Sequence, residues 1–154
     1  MPLEGEQALV RVNVQMGLVN KVLEEEEQER KNAWTLILNR LLEAEFFEDL
    51  LKKSEQCVLE FPNWYLGYFR RGIAQDYLKN VKAAILDYDK AIELNPNIGR
   101  IYRYRGEAKA DLGDYEGYKK DRDVVNEFIG APCVPFDDNN LELPLPPPIE
   151  GFVI

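Results

Sequence analysis

Apolar residues recur at three- and four-residue steps through Ala84, Ile85, Tyr88, Ala91 and Ile92, a spacing that predicts an amphipathic helix rather than a strand. Small residues stand where a second helix would have to touch it: Gly72 and Ala74 before, Ala84 and Ala91 within. Lys79 and Asn80 mark a polar turn, and Asn95-Pro96 ends the second helix, because a residue preceding proline is pushed out of the α region. Residues 65–96 therefore predict a helix–turn–helix hairpin. Upstream, Trp34, Leu38, Leu41 and Leu42 make a helical stripe, and helices are expected near 32–44 and 47–60, closed by Phe61-Pro62. Downstream, a helix over 101–112 meets Gly113-Asp114, a turn that tolerates positive φ, and another helix runs from Tyr115 to about Phe128.

The first thirty residues fit two patterns. Val10, Val12, Val14, Met16 and Leu18 alternate with polar residues as a strand would. Val12, Met16, Val19, Val22 and Leu23 equally fit a helical stripe, and LEEEEQERKN after them is a strong helix former. The helix is the preferred reading, as a covering element for the first hairpin. The glutamate run 24–27 reads as a solvated helix face, since consecutive side chains point around a helix and do not converge on a cation.

The hairpins repeat. Trp34, Tyr68 and Tyr102 are each thirty-four residues apart, as are Gly72 and Gly106, and Cys57, Ala91 and Val125. With Tyr68, Gly72, Ala84, Tyr88, Ala91 and Pro96 at its signature places, the central repeat resembles the tetratricopeptide repeat. The flanking copies depart from the pattern, with Leu38 and Leu50 for the Gly and small Ala in the first, and Tyr118 and Gly130 for the Ala and Pro in the third. The resemblance implies an all-α, right-handed α-solenoid of three helix–turn–helix repeats at 31–64, 65–98 and 99–132. An N-terminal capping segment would occupy 1–30, and an extended Pro-rich tail 133–154.

In that family the first helices of the repeats line a concave groove that holds extended peptides. The resemblance places Leu66, Phe69, Arg70, Ile73 and Tyr77 in the groove from the second repeat. Arg100, Arg103, Tyr104 and Glu107 would face it from the third, and Asn32, Thr35, Leu36 and Asn39 from the first. Five of the nine arginines fall between positions 70 and 105, and arginines beside aromatics favour a peptide with carboxylates and apolar anchors. Some of them have a structural alternative. Arg71 and Asp87 are sixteen apart, as are Arg105 and Asp121, which suggests a bridge between the two helices of each hairpin. Some family members clamp the C-terminal carboxylate of heat-shock chaperones with Lys, Asn and Arg side chains. Here Asn39, Arg70 and Arg100 are the available counterparts, while Thr35 and Tyr104 stand where that clamp is basic.

Composition narrows the function classes. The chain has 154 residues and a formal charge of −9, which disfavours nucleic acid or an anionic membrane surface as partner. It has no histidine, hence neither the commonest general base nor the usual zinc ligand. No phosphate-cradling glycine loop occurs, and Asp137-Asp138-Asn139-Asn140 lacks the spacing of a calcium loop. Neither an enzyme, a cofactor nor a metal site is expected. Cys57 on a packing face and Cys133 in the tail fit a reducing, cytoplasm-like compartment, which still leaves room for a transit segment already removed. No apolar run approaches a membrane span.

After Gly130 the sequence holds six prolines in twenty-four residues together with apolar Val134, Phe136, Leu141, Leu143, Leu145, Ile149 and Phe152. Such a tail could cover the last repeat, lie in the protein's own groove, or dock on another protein. Two functions follow. One is a peptide-binding adaptor or chaperone, similar in size and layout to secretion chaperones that hold translocator proteins. The other is a permanent subunit or assembly factor docking through outer helix faces and the tail. Arg70→Glu with Arg103→Glu is expected to weaken groove binding and leave the fold intact, whereas Gly72→Leu should overpack the hairpin by about 1–3 kcal/mol.

Overall fold

The structure, a computed structural model, describes residues 4–129. The expectations for the tail at 133–154, including Cys133, lie outside them. Among the described residues there are six α-helices and no strand: α1 (Glu4–Glu43), α2 (Phe47–Glu60), α3 (Tyr65–Tyr77), α4 (Val81–Leu94), α5 (Gly99–Asp111) and α6 (Tyr115–Ile129). The chain divides into two compact units after Arg40.

The first unit is helical up to its boundary. The sequence suggested a covering helix followed by a separate helix near 32–44; the structure has one unbroken α1 of forty residues. The alternating valines do not make a strand, because strong helix formers follow them and neither glycine nor proline interrupts the run from Leu18 to Glu43. Every residue from Gly5 to Arg30 is exposed, while Lys31, Trp34 and Thr35 are partly buried and Leu38 is fully buried.

In the second unit α3 packs against α4 and α5 against α6, while α2–α3 and α4–α5 contacts join one hairpin to the next. The core consists of Leu66, Phe69, Ile73, Ala84, Tyr88, Ala91, Ile101 and Ala108. The small residues flagged in the sequence, Gly72, Ala74, Ala84 and Ala91, are all buried, and Gly72 marks a close approach of α3 and α4. A Cβ on Gly72 would sit 2.6 Å from a ring carbon of Tyr88, so the two helices can meet there only without a side chain.

The thirty-four-residue period is also written in the backbone. Glu45, Lys79 and Gly113 all have positive φ, at 57°, 70° and 83°. One residue later, the N–H groups of Phe46, Asn80 and Asp114 donate to the carbonyls of Leu41, Gln75 and Lys109 at 3.0, 2.7 and 2.9 Å. This is the six-to-one closure of a helix C-terminus through a left-handed residue. Only the third turn uses glycine; the other two place Glu and Lys in a conformation that costs a side-chain-bearing residue about 1–2 kcal/mol.

Candidate functional site

Tyrosine, arginine and aspartate form one polar unit in each of the last two hairpins. Arg71 Nε and Nη2 donate to Asp87 at 2.8 and 2.7 Å, and Arg105 donates through the same atoms to Asp121 at 2.9 and 2.6 Å. The sixteen-residue spacing therefore does mark a bidentate bridge between paired helices. Each guanidinium also lies over a ring of its own helix, Arg71 over Tyr68 at 5.5 Å and Arg105 over Tyr102 at 5.4 Å. Each of those tyrosines donates its hydroxyl to a proline carbonyl, Pro62 or Pro96, at 3.0 Å. The hydrogen bond to Asp87 raises Arg71 above the usual guanidinium range. Two contacts were not anticipated from the sequence: Arg105 Nη1 also donates to Asp89 on α4 at 2.7 Å, and Lys109 Nζ reaches Asp121 at 3.0 Å. Arg105 thus ties one hairpin to the next. The signal was available, because Asp89 precedes Arg105 by the same interval of sixteen.

The residues expected to line a groove divide by burial. Leu66, Phe69 and Ile73 belong to the core, and Arg70 retains only 2% of its exposure. They offer a ligand almost no surface: α3 has neighbours in α2, α4 and α5, which cover more of it than a two-helix hairpin would. Arg100, Arg103 and Tyr104 on α5 are partly buried, and Tyr77 is exposed while its ring stacks on Phe47 at 4.1 Å. Asn39 lies in α1 of the first unit and is partly buried.

Within the second unit α3 and α5 bring several of these residues together. The ring of Phe69 meets that of Tyr104 edge-on at 5.5 Å, and Tyr88 stands 6.1 Å from both. The Arg70 guanidinium lies 5.3 Å from the centre of the Phe69 ring. Burial, followed by the nearby Arg100 cation, pulls Arg70 down to about 10. Arg103 Nε donates to Glu107 at 3.1 Å. Toward the end of α3 the sign reverses. Burial and then the charge of Asp111 raise the Asp76 carboxyl above the usual range, with Glu107 adding to the effect. Among the described residues no group of His, Cys, Asp and Glu could hold a metal ion, and no helix is long and apolar enough to cross a membrane. Cys57 is buried as a free thiol, and burial pushes it up to about 12.

The tetratricopeptide repeat model matches residues 65–98, the hairpin of α3 and α4. Similar solved structures include the TPR2B domain of yeast Sti1 in complex with pHsp70, at 23% identity and a TM-score of 0.59 over 62% of this chain and 77% of that one. The hairpin of α3 and α4 is thus a tetratricopeptide repeat. Among the described residues the fold is the all-α repeat solenoid of such structures. A second similar structure is the first TPR of Spaghetti (RPAP3) bound to the HSP90 peptide SRMEEVD, at 24% identity and a TM-score of 0.56 over 58% of this chain and 71% of that one. In sequence, the chain is 31% identical over 101 residues to Hsc70-interacting protein 1 of Drosophila melanogaster. That match takes in 66% of this chain and spans about a quarter of the relative's length, 27%.

Proposed function

We propose that this tetratricopeptide repeat protein is a non-enzymatic adaptor or chaperone that binds an extended segment of another protein, one carrying carboxylates and apolar side chains, along α3 and α5. The observation that carries this reading is the cationic and aromatic cluster shared by the two helices. Arg70 and Arg100 lie close enough for one charge to depress the other, beside the rings of Phe69 and Tyr104. Asp87 and Asp121, the buried carboxylates of the two hairpins, are already engaged by Arg71 and Arg105. On the same two helices Arg100, Arg103 and Tyr104 are half-buried and Tyr77 is exposed, and together they supply forked donors and flat apolar rings, the pairing that suits extended acidic segments.

Similar proteins support the same ligand class. The Spaghetti structure holds a peptide with two glutamates and an aspartate in its last four residues, and the Sti1 domain is in complex with pHsp70. The experiment is a pull-down from native lysate, comparing wild type with an Arg100→Glu/Arg103→Glu variant of equal urea midpoint. These positions replace Arg70, whose burial makes a reversal there a test of packing as well as of binding. A partner lost from the variant supports the reading; the same partners retained by both would refute it.

A further inference from the structure

The exposed half of α1 carries an apolar stripe of its own. Leu9, Val12, Met16, Val19 and Leu23 follow one another at steps of three, four, three and four, and each is 52–61% exposed. Those steps are the heptad spacing that keeps one face of a helix turned to a partner helix over several turns. Placed on a helical wheel, the five lie within about 80° with no charged residue between them. A second apolar row, Val10, Val14, Leu18 and Val22, lies on roughly the opposite side and is interrupted by Arg11 and Lys21.

We propose that this stripe pairs with the same stripe of a second copy of the chain, the two α1 helices lying antiparallel. Two features favour a second copy, and a third sets its orientation. The 3-4-3-4 steps call for a helix as the occupant, not an extended peptide or a flat surface. The positions flanking the seam are Ala8, Asn13, Gln15 and Asn20, all uncharged. Two copies of an acidic chain can therefore meet there without placing like charges against each other, in spite of a net charge of −9. The orientation follows from the glutamates. Glu24, Glu25, Glu26 and Glu27 begin where the apolar stripe ends. Parallel, in-register pairing would set the two runs side by side. Antiparallel pairing through Met16 and Val19 separates them by roughly the length of the stripe, about 21 Å, well beyond the Debye length of about 8 Å at physiological salt. Each run then lies toward the end of the other helix where Arg11 sits.

The test is the mass of the full chain in solution, by light scattering or sedimentation equilibrium at micromolar concentration. Wild type should be a dimer, Met16→Glu with Val19→Glu a monomer, and Val14→Glu, on the opposite row, a dimer still. A monomeric wild type overturns the proposal, and so does a Val14→Glu variant that dissociates as readily as the seam variant. A wild type that is monomeric alone and cosediments with phosphatidylserine vesicles would assign the stripe to a membrane surface instead. Orientation is read in a Cys133→Ser background. A mixture of Val12→Cys and Leu23→Cys chains should form a disulfide-linked pair, and neither should do so alone; self-linking of Val12→Cys would overturn the antiparallel arrangement.

Discussion

Gly72→Ala adds one methyl group at the tightest point of the central hairpin, where two opposing effects can be weighed. Alanine in place of glycine inside a helix contributes about 1 kcal/mol in its favour. Against this, the new Cβ would meet Tyr88 Cε1 at 2.6 Å and Cδ1 at 2.8 Å, with the carbonyl oxygen of Ala84 at 3.3 Å. Carbon atoms normally meet at about 3.5–4.0 Å, so the ring must retreat by close to an ångström. Tyr88 is fully buried and in contact with the rings of Phe69 and Tyr104, which leaves little space behind it. Overpacking of this kind costs about 1–3 kcal/mol and grows with the displacement forced. A displacement of close to an ångström puts the cost in the upper part of that range, about 2–3 kcal/mol, for a net loss of about 1–2 kcal/mol. Gly106, one repeat later, provides the comparison. Its Cβ would meet Asp121 Cβ at 3.2 Å and Tyr118 Cδ2 at 3.4 Å, contacts that a few tenths of an ångström relieve. Gly106→Ala should therefore lie within about 0.5 kcal/mol of wild type. Urea unfolding followed by circular dichroism measures both. A Gly72→Ala protein as stable as wild type, or less affected than Gly106→Ala, would refute the reasoning.

Four further outcomes are expected. Removing Arg71 and Asp87 singly and together should give a coupling of about 1.5–3 kcal/mol in a double-mutant cycle, because the pair is bidentate and its carboxylate largely buried; additive effects would show that the bridge contributes nothing. Lys79→Gly, at a φ of 70°, should stabilise the protein by about 0.5 kcal/mol as left-handed strain is exchanged for glycine entropy, and a drop in urea midpoint would contradict that. Burial raises the Asp76 carboxyl in the folded state, so its ionised form opposes folding at neutral pH, and that penalty disappears once the pH falls below the ordinary aspartate range. Asp76→Asn should thus raise the thermal midpoint at pH 7 and leave it unchanged near pH 3, where equal gains at both values would refute the electrostatic cause. Cys57, with its thiol pushed up to about 12, should resist iodoacetamide in the native state and react only on unfolding, as peptide mapping would show.

The helical hairpins were legible because their signals are local. Small residues at 72, 84 and 91 and the breaks at Asn80 and Asn95-Pro96 each act within a few positions, and α2, α3 and α4 fall where they were expected. The Arg–Asp bridges were legible for a different reason: a contact between paired helices recurs at a fixed sequence interval when the unit repeats. Burial was harder to read. Arg70 looks like a surface residue by type, and only the neighbouring repeats, folded against α3, remove it from solvent. Position within a repeat predicts which face a side chain takes but not how much of that face the neighbours cover. The helix was the preferred reading of the first thirty residues, but its unbroken course was missed because the thirty-four-residue period set a boundary at residue 31, where neither glycine nor proline stops a helix.

The proposed surface for acidic, apolar segments is formed by Arg100, Arg103 and their aromatic neighbours. Fluorescence anisotropy with a labelled peptide of alternating glutamate and leucine, beside its lysine counterpart, tests it most directly. The glutamate peptide should bind with an affinity that falls as salt rises, and Arg100→Ala with Arg103→Ala should weaken it at least about tenfold with no change in urea midpoint. Equal binding of the lysine peptide, or an unchanged affinity in the double variant, would contradict it.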